Sequence, residues 1–303
     1  MLPQYPWTKS APKGAEKAGL ITIGSFEDKI PFILYPILLT ADIVLYPYKN
    51  FHCPQDISVE VIDEIKDLIQ KKKMKSVVID LRVQNWSDNR ILRHSRALSS
   101  SLQDICLDFS IDSSIILSNG DQLIGNAVGP LYEMIEACKV LKGEGPPDLT
   151  KFALEISAEL LVATKKAQHR RDAKTWLRDK IIDRDFSGTE TEITSQASFP
   201  TVSTRKIKFS SQKPGYIHHL AMNELHSLRS ALAAVNLGIG FSLIGKAGDR
   251  IEPGDDIFEV YLPEGQQNPL DEKAYQRALV ISSDPPDHQP LILEWIESHL
   301  RSK

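Results

Sequence analysis

The sequence is short of the features that announce an obvious chemistry. It has only three cysteines in 303 residues, Cys53, Cys106 and Cys138. Thiols so few and so scattered make neither a disulfide framework nor a Cys-x-x-Cys zinc site. Cys106 and Cys138 fall on apolar helix faces, where buried thiols are expected. No apolar run is long enough to cross a bilayer, which takes about 20 residues. The most apolar stretch, IPFILYPILLTADIVLYPY, is broken by Pro31, Pro36, Asp42 and Pro47. Lys9, Lys13 and Lys17 precede no apolar segment with a small-residue cleavage site, so no signal peptide is read and the cytoplasm is the expected location. Neither sign of charge dominates: 36 basic and 40 acidic residues leave a net charge of -4. That balance argues against nucleic acid and against an anionic membrane as partners. The basic run Gln168-His-Arg-Arg171 reads as a solvated helix face. Metal-ligand spacing is absent too. His52, His94 and His169 stand alone, and His218-His219 on a strand would point to opposite faces. No metal and no cofactor is expected.

What is present is a regular alternation of helix and strand patterns. Residues 1 to 18, MLPQYPWTKSAPKGAEKA, form a polar, Pro-rich arm, and short strand patterns follow at Leu20 to Ile23 and Ile43 to Tyr46. Ile57, Val61, Ile62, Ile65, Leu68 and Ile69 recur at helical spacing, and Lys71-Lys-Lys73 suit the carboxyl end of that helix. Ser76-Val-Val-Ile-Asp80 and Ser113 to Leu117 are short runs of the kind found in strands covered on both faces. Between them Arg90 to Phe109 carries an apolar stripe at Ile91, Leu98, Leu102, Ile105 and Phe109.

Pro130 opens a further helix whose apolar face is Leu131, Met134, Ile135, Ala137, Cys138 and Leu141, and Gly143 closes it in a left-handed cap. Gly143 and Gly145 permit angles other residues resist, Pro146-Pro147 stop the helix, and Asp148 is read as the N-cap of the next one, running to about Lys166. Alternation of this kind predicts an α/β domain with a parallel central sheet and helices on both faces.

Residues 186 to 204, FSGTETEITSQASFPTVST, lack apolar periodicity and read as a linker. A smaller α+β module follows, with strands at Arg205 to Phe209, Gly215 to Ile217, Gly240 to Ile244, Gly248 to Ile251 and Asp256 to Val260, and a helix at Asn223 to Val235. The tail from Gln289, QPLILEWIESHL, reads as an amphipathic helix. The expected organisation is an arm and strand (1–40), an α/β domain (41–168), a helix and linker (169–204), an α+β domain (205–282) and a terminal helix (283–303). Two small motifs remain. Gly125-Asn126-Ala-Val-Gly129 before a helix is an anion-binding candidate through its free amides, with a structural turn as the alternative. Gly245-Lys246-Ala-Gly248-Asp249 is read as a plain hairpin and not as a biotinyl or lipoyl turn, because its lysine lacks the Met-Lys or Asp-Lys context. Asp28, Asp42 and Asp80 form no evident acid/base pair.

Two blocks carry a family resemblance. The first is Gln122-Leu-Ile-Gly125-Asn-Ala-Val128-Gly129, followed by a helix ending Val140-Leu-Lys-Gly-Glu-Gly-Pro-Pro-Asp-Leu149. The second is GYIHHLAMNELHSLRSA (215–231) with GIGFSLIGKAGDRIEPGDDIFEV (238–260). In this order and at this spacing the chain, over roughly residues 41 to 282, resembles the thymidine phosphorylase and AMP phosphorylase family. The resemblance implies an α/β domain followed by a hammerhead-like α+β domain. It also implies cleavage of a nucleoside's glycosidic bond by phosphate, giving a free base and a sugar 1-phosphate.

The chain departs from the family at the groups that grip the reactants. The family's Lys-His-Ser-x-Gly-Gly phosphate segment is not found, and Gly24-Ser-Phe-Glu-Asp28-Lys29 is similar to the family's Thr-Gly-Gly-Thr-x-Asp-Lys segment only at the wrong spacing. In an ungapped register on Val77 to Asp80, the family's base-reading Arg falls near Lys49, its Ser on Glu64 and its Lys on Leu68. Ring carbonyls need donors; ionised Glu only accepts, Leu does neither, and Lys49 lacks the planar fork. Each lost donor to a charged or polar ligand costs about 1.5–3 kcal/mol. The expectation is a catalytically degenerate homologue that acts as a binding or interaction protein. Its expected partners are a nucleoside, a nucleotide or phosphate, together with a protein. The alternatives are an active pentosyltransferase, with a partner polypeptide supplying the remaining half or with a remodelled cleft in which Glu64 accepts from a base N–H, and a fragment whose start lies upstream.

Overall fold

The structure, a computed structural model, describes residues 20–22, 43–47, 76–163, 165–183, 204–235, 238–268 and 272–297. The expected arm, the 57–69 helix and the 186–203 linker lie outside the described residues. The chain is mixed α/β and divides by contact density into two compact units. The first comprises residues 1–120, 150–185 and 290–303; the second comprises 121–149 and 186–289. The stretch 121–149, placed by sequence within the α/β domain, therefore clusters with the carboxy-terminal module.

The first unit is built on a five-stranded sheet. Its strands are β1 (Leu20–Thr22), β2 (Ile43–Pro47), β3 (Ser76–Val83), β4 (Asp112–Asn119) and β12 (Ile292–Ile296), in that order. β1 to β4 are mutually parallel. β3 and β4 register residue for residue from Ser76 opposite Asp112 to Val83 opposite Asn119. α1 (Asn89–Asp108) connects them, starting from Asp88, whose carboxylate accepts from the Arg90 amide at 2.8 Å. Val77, Ile79, Leu81 and Val83 of β3, with Ile115 and Leu117 of β4, pack against Leu102 and Cys106 of α1. Period two puts the intervening residues on the opposite face. There α3 (Pro147–Ala163) covers the sheet, with the Ser76 hydroxyl donating to Ala163 O at 3.0 Å and the Ser114 hydroxyl to Glu159 at 2.6 Å. α4 (Arg170–Asp183) packs Ala173 and Leu177 on Leu154, Ala158 and Leu161 of α3.

The tail expected to be a helix forms β12 instead. It pairs antiparallel with β4, Ile292 opposite Ser118 and Ile296 opposite Ile115, with a register shift between Ile292 and Glu294. The run Ile292-Leu-Glu-Trp-Ile296 suits a pleated, half-buried edge as well as it suits a helix, and the open edge of β4 decides. Two side chains of α1 hold the strand: Gln103 donates to Glu297 O at 2.7 Å, and Arg96 pairs with Glu294 at 2.7 Å.

The second unit contains two sheets. One has the order β5 (Ala127–Val128), β8 (Gly240–Leu243), β10 (Asp256–Pro263), β6 (Thr204–Ser210); the other has β11 (Leu279–Ser282), β7 (Gly215–Leu220), β9 (Arg250–Ile251). The expected hairpin at 245–249 is thus a turn that passes from one sheet to the other, since β8 and β9 do not pair. α2 (Pro130–Leu141), α5 (Met222–Val235) and α6 (Glu272–Arg277) complete the unit. Its core gathers Leu225, Leu228 and Leu232 with Phe241, Phe258 and Tyr275. Tyr132 of α2 lies flat on Tyr261 of β10, ring centroids 4.3 Å apart, and its hydroxyl donates to Gly238 O.

Gly240 is what lets the Tyr132 ring sit so close. A β-carbon there would meet Tyr132 Cδ2 at 2.4 Å and Val128 O at 2.6 Å. Gly240→Ala is expected to destabilise the protein by about 1–3 kcal/mol, the usual cost of overpacking, read as a lower urea midpoint with an unchanged slope.

Candidate functional site

In the second unit the glycine-rich turn is assembled from its backbone outward. The α2 helix ends in a Schellman motif: Glu144 N–H donates to Lys139 O at 2.8 Å and Gly143 N–H to Val140 O at 3.0 Å. Gly143 stands at φ 79°. A β-carbon on Gly145 would lie 2.2 Å from Val140 Cγ2, so the chain can fold back on α2 only with glycine there. This corner delivers Asp148 in the first turn of α3. Asp148 is not the N-cap the sequence suggested. Its Oδ2 accepts from the Gly125 amide at 3.1 Å and from the Lys246 ammonium at 2.5 Å. Lys246 Nζ also donates to Gly125 O at 2.6 Å and Leu123 O at 3.1 Å. Burial alone would raise the Asp148 carboxyl, but the adjacent ammonium and its hydrogen bond, with those from the Gly125 and Leu149 amides, hold it below the ordinary carboxylate value.

The other donors of the turn are also engaged. Glu136 Oε1 accepts from the Asn126 and Ala127 amides at 2.9 and 3.0 Å, and Glu133 Oε1 from the Gly129 amide at 2.9 Å. Gly125, Asn126 and Gly129, proposed from sequence to receive an external anion, thus give their amides to three carboxylates of the chain itself. A phosphate at this turn would have to displace those carboxylates and face their charge.

In the first unit the carboxyl ends of β3 and β4 bring four polar groups together. Asp80, fully buried in the middle of β3, accepts from the Ser118 hydroxyl at 2.5 Å through Oδ1. Its Oδ2 has no hydrogen-bond partner among the described residues. Burial pushes the Asp80 carboxyl up to about 6, against the opposing pull of the Arg82 guanidinium and the Ser118 hydroxyl. Arg82 donates to Asn119 O at 3.1 Å. In open α/β sheets the crevice outside the carboxyl ends of the strands is where ligands bind. β2 ends at Pro47, two residues before Lys49 in sequence. Lys49, Glu64 and Leu68 themselves lie outside the described residues, as do Cys53 and His52.

Sequence reasoning missed both Lys246 as a partner and Asp80 as a buried acid. Nothing local marks Lys246, whose carboxylate is 98 residues away. Asp80 did leave a signal: a carboxylate inside an otherwise apolar strand run must find a partner or shift its titration. Cys106 and Cys138 are buried, as their helix faces implied. Among the described residues no group of three or more His, Cys, Asp or Glu is placed to hold a metal ion, and no helix is long and apolar enough to cross a membrane.

Comparison with known proteins places this geometry beside a named activity. The chain is similar to the pyrimidine-nucleoside phosphorylases of Staphylococcus epidermidis and Staphylococcus aureus, each 25% identical over 238 residues, which cover 70% of this chain and 55% of the relative. The chain therefore spans about half the length of the curated relatives it matches. This similarity supports a divergent relationship to the thymidine phosphorylase family. No protein-family model matches the chain.

Two outcomes follow from the electrostatics. Lys246→Met leaves Asp148 half-buried without its counter-charge and is expected to cost about 1–3 kcal/mol. A cycle with Asp148→Asn isolates the pair. Because the Asp148 carboxyl is depressed in the fold, the pair's contribution is present above the unfolded value of about 3.9 and is lost only as pH falls through the lower folded value. For Asp80 the sign is opposite. The folded state holds its proton more tightly, so the contribution is full below about pH 3.9 and is lost as pH rises through about 6. Measured by denaturation from pH 7 to pH 4, wild type is expected to gain on the order of 2 kcal/mol relative to Asp80→Asn.

Proposed function

We propose that the chain binds a nucleoside or nucleotide at the carboxyl edge of its parallel sheet, on a phosphorylase-type scaffold, without catalysing phosphorolysis by itself. The observation that carries this reading is the occupied glycine-rich turn. Glu133, Glu136 and Asp148 fill the amides that an anion would need, so the most phosphate-like backbone feature of the described residues serves as an internal clamp. The similarity to pyrimidine-nucleoside phosphorylases supports the nucleoside as ligand class.

The altered base-reading positions support loss of turnover. With Lys49, Glu64 and Leu68 standing where the resemblance implies Arg, Ser and Lys, two donors to the base carbonyls are gone. Positioning and electrostatic stabilisation go with them. On this reading the protein is a cytoplasmic binding or interaction protein, and a protein partner would complete its ligand site.

A second reading is an active phosphorylase acting together with a further polypeptide, favoured by the names of the relatives. Glu64 would then accept from a base that presents N–H groups.

The test is a thermal-shift screen with thymidine, uridine, cytidine, AMP and phosphate, run beside a base-release assay. A ligand at about a hundred times its Kd stabilises by about 2.7 kcal/mol, so a shift of several degrees with a nucleoside or nucleotide is expected, with base release at background. Base release with sustained turnover by the chain alone would overturn the proposal in favour of the second reading; no shift with any nucleoside or nucleotide would remove the ligand class.

A further inference from the structure

The two adjacent histidines of β7 do not point apart. β7 pairs antiparallel with β11, Val280 opposite His219 and Ile281 opposite Ile217, so His218 is the extra residue of a bulge. The bulge breaks the alternation of side chains, and both imidazoles turn to the same side. Their Nδ1 atoms lie 3.2 Å apart, with ring centroids 5.5 Å apart and planes 78° to each other. His219 is exposed and His218 half-buried.

That separation has a chemical meaning. Two imidazole nitrogens each about 2.05 Å from one metal ion are about 2.9 Å apart at a right angle and about 3.3 Å apart at the tetrahedral angle. The observed spacing falls between the two. A ladder position was given up to create this bite, and neither ring is buried as packing material. We propose that His218 and His219 form a two-nitrogen chelate, through both Nδ1 atoms, for a borderline divalent transition metal, with water at the remaining positions. Imidazole pairs of this kind favour Cu(II), Ni(II) and Zn(II) over the oxygen-seeking Mg(II) and Ca(II), and Cu(II) binds tightest of the series. Without metal, the same two nitrogens share one proton, with one ring donating to the other. On binding, the donating ring takes that proton to its own Nε2 instead, so both Nδ1 lone pairs face the ion and no net proton is released. The site stands apart from the proposed nucleoside region in sequence and in ligand chemistry, and neither depends on the other.

The experiment uses the whole, tag-free chain at neutral pH, titrated with Cu(II), Zn(II) and Mg(II). One Cu(II) per chain is expected, with the electron paramagnetic resonance signature of two nitrogen ligands, and no Mg(II) binding. His218→Ala and His219→Ala are each expected to weaken Cu(II) binding about tenfold or more, since either removes the chelate. On wild type alone, Zn(II) is expected to move the Nδ1 nitrogen resonances of both rings and to leave both Nε2 atoms protonated, the donating ring having changed tautomer. Equal Cu(II) binding by wild type and the double Ala variant would overturn the proposal, as would Zn(II) addition that leaves both Nδ1 resonances in place. The first result would assign binding to scattered single histidines; the second would leave only an imidazole–imidazole hydrogen bond.

Discussion

The glycine-rich turn of the second unit closes on one ammonium group. Lys246 Nζ reaches a carboxylate and two main-chain carbonyls drawn from residues 123, 125 and 148, so a single side chain joins three separate places in the sequence. An ammonium has three donors, and here three acceptors meet it. The arrangement works only because the corner after α2 is tight enough to bring Asp148 to the turn. That tightness rests on Gly143 at positive φ and on Gly145 against Val140. Hydrogen bonds to charged groups are worth about 1.5–3 kcal/mol each, a range that also covers the amide-to-carboxylate bonds of the turn. The glycine and proline pattern of 143–149 is thus a device for placing one carboxylate.

Asp148 and Asp80 make a useful contrast. Asp148 sits in the first turn of a helix and Asp80 in the middle of a strand, and burial pushes both upward. Asp148 has an ammonium in contact and ends below its ordinary value. Among the described residues Asp80 has a hydroxyl in contact and a guanidinium farther off, and it ends well above its ordinary value. Desolvation wins at fully buried Asp80, and the adjacent ammonium outweighs it at the less buried Asp148.

Much of the architecture could be read from periodicity, and the exceptions have a common cause. β3, α1, β4, α2 and α3 fall within a few residues of their expected bounds because each carries a local signal: a β-branched run, an apolar stripe, a Pro at the start or a Gly at the end. β12 was misread because Ile292-Leu-Glu-Trp-Ile296 satisfies two periods, and a partner strand more than 170 residues earlier makes the choice. His218 and His219 were misread for the same reason, since the bulge belongs to the pairing with β11. The amides of the glycine-rich turn were recognised as strong donors, but what fills them comes partly from α2, ten residues on, and partly from α3. Local chemistry was legible; the identity of distant partners was not.

The order of the strands has a consequence for synthesis. β4 leaves the ribosome well before the strand that covers its edge, which follows only after the whole of residues 186–289. During translation the nascent sheet therefore presents bare amides and carbonyls along Ile115 to Ser118, a template for pairing with another chain. Slow elongation through the intervening segment would lengthen that interval, and a chaperone that shields the edge would shorten the list of ways the polypeptide can aggregate before β12 arrives.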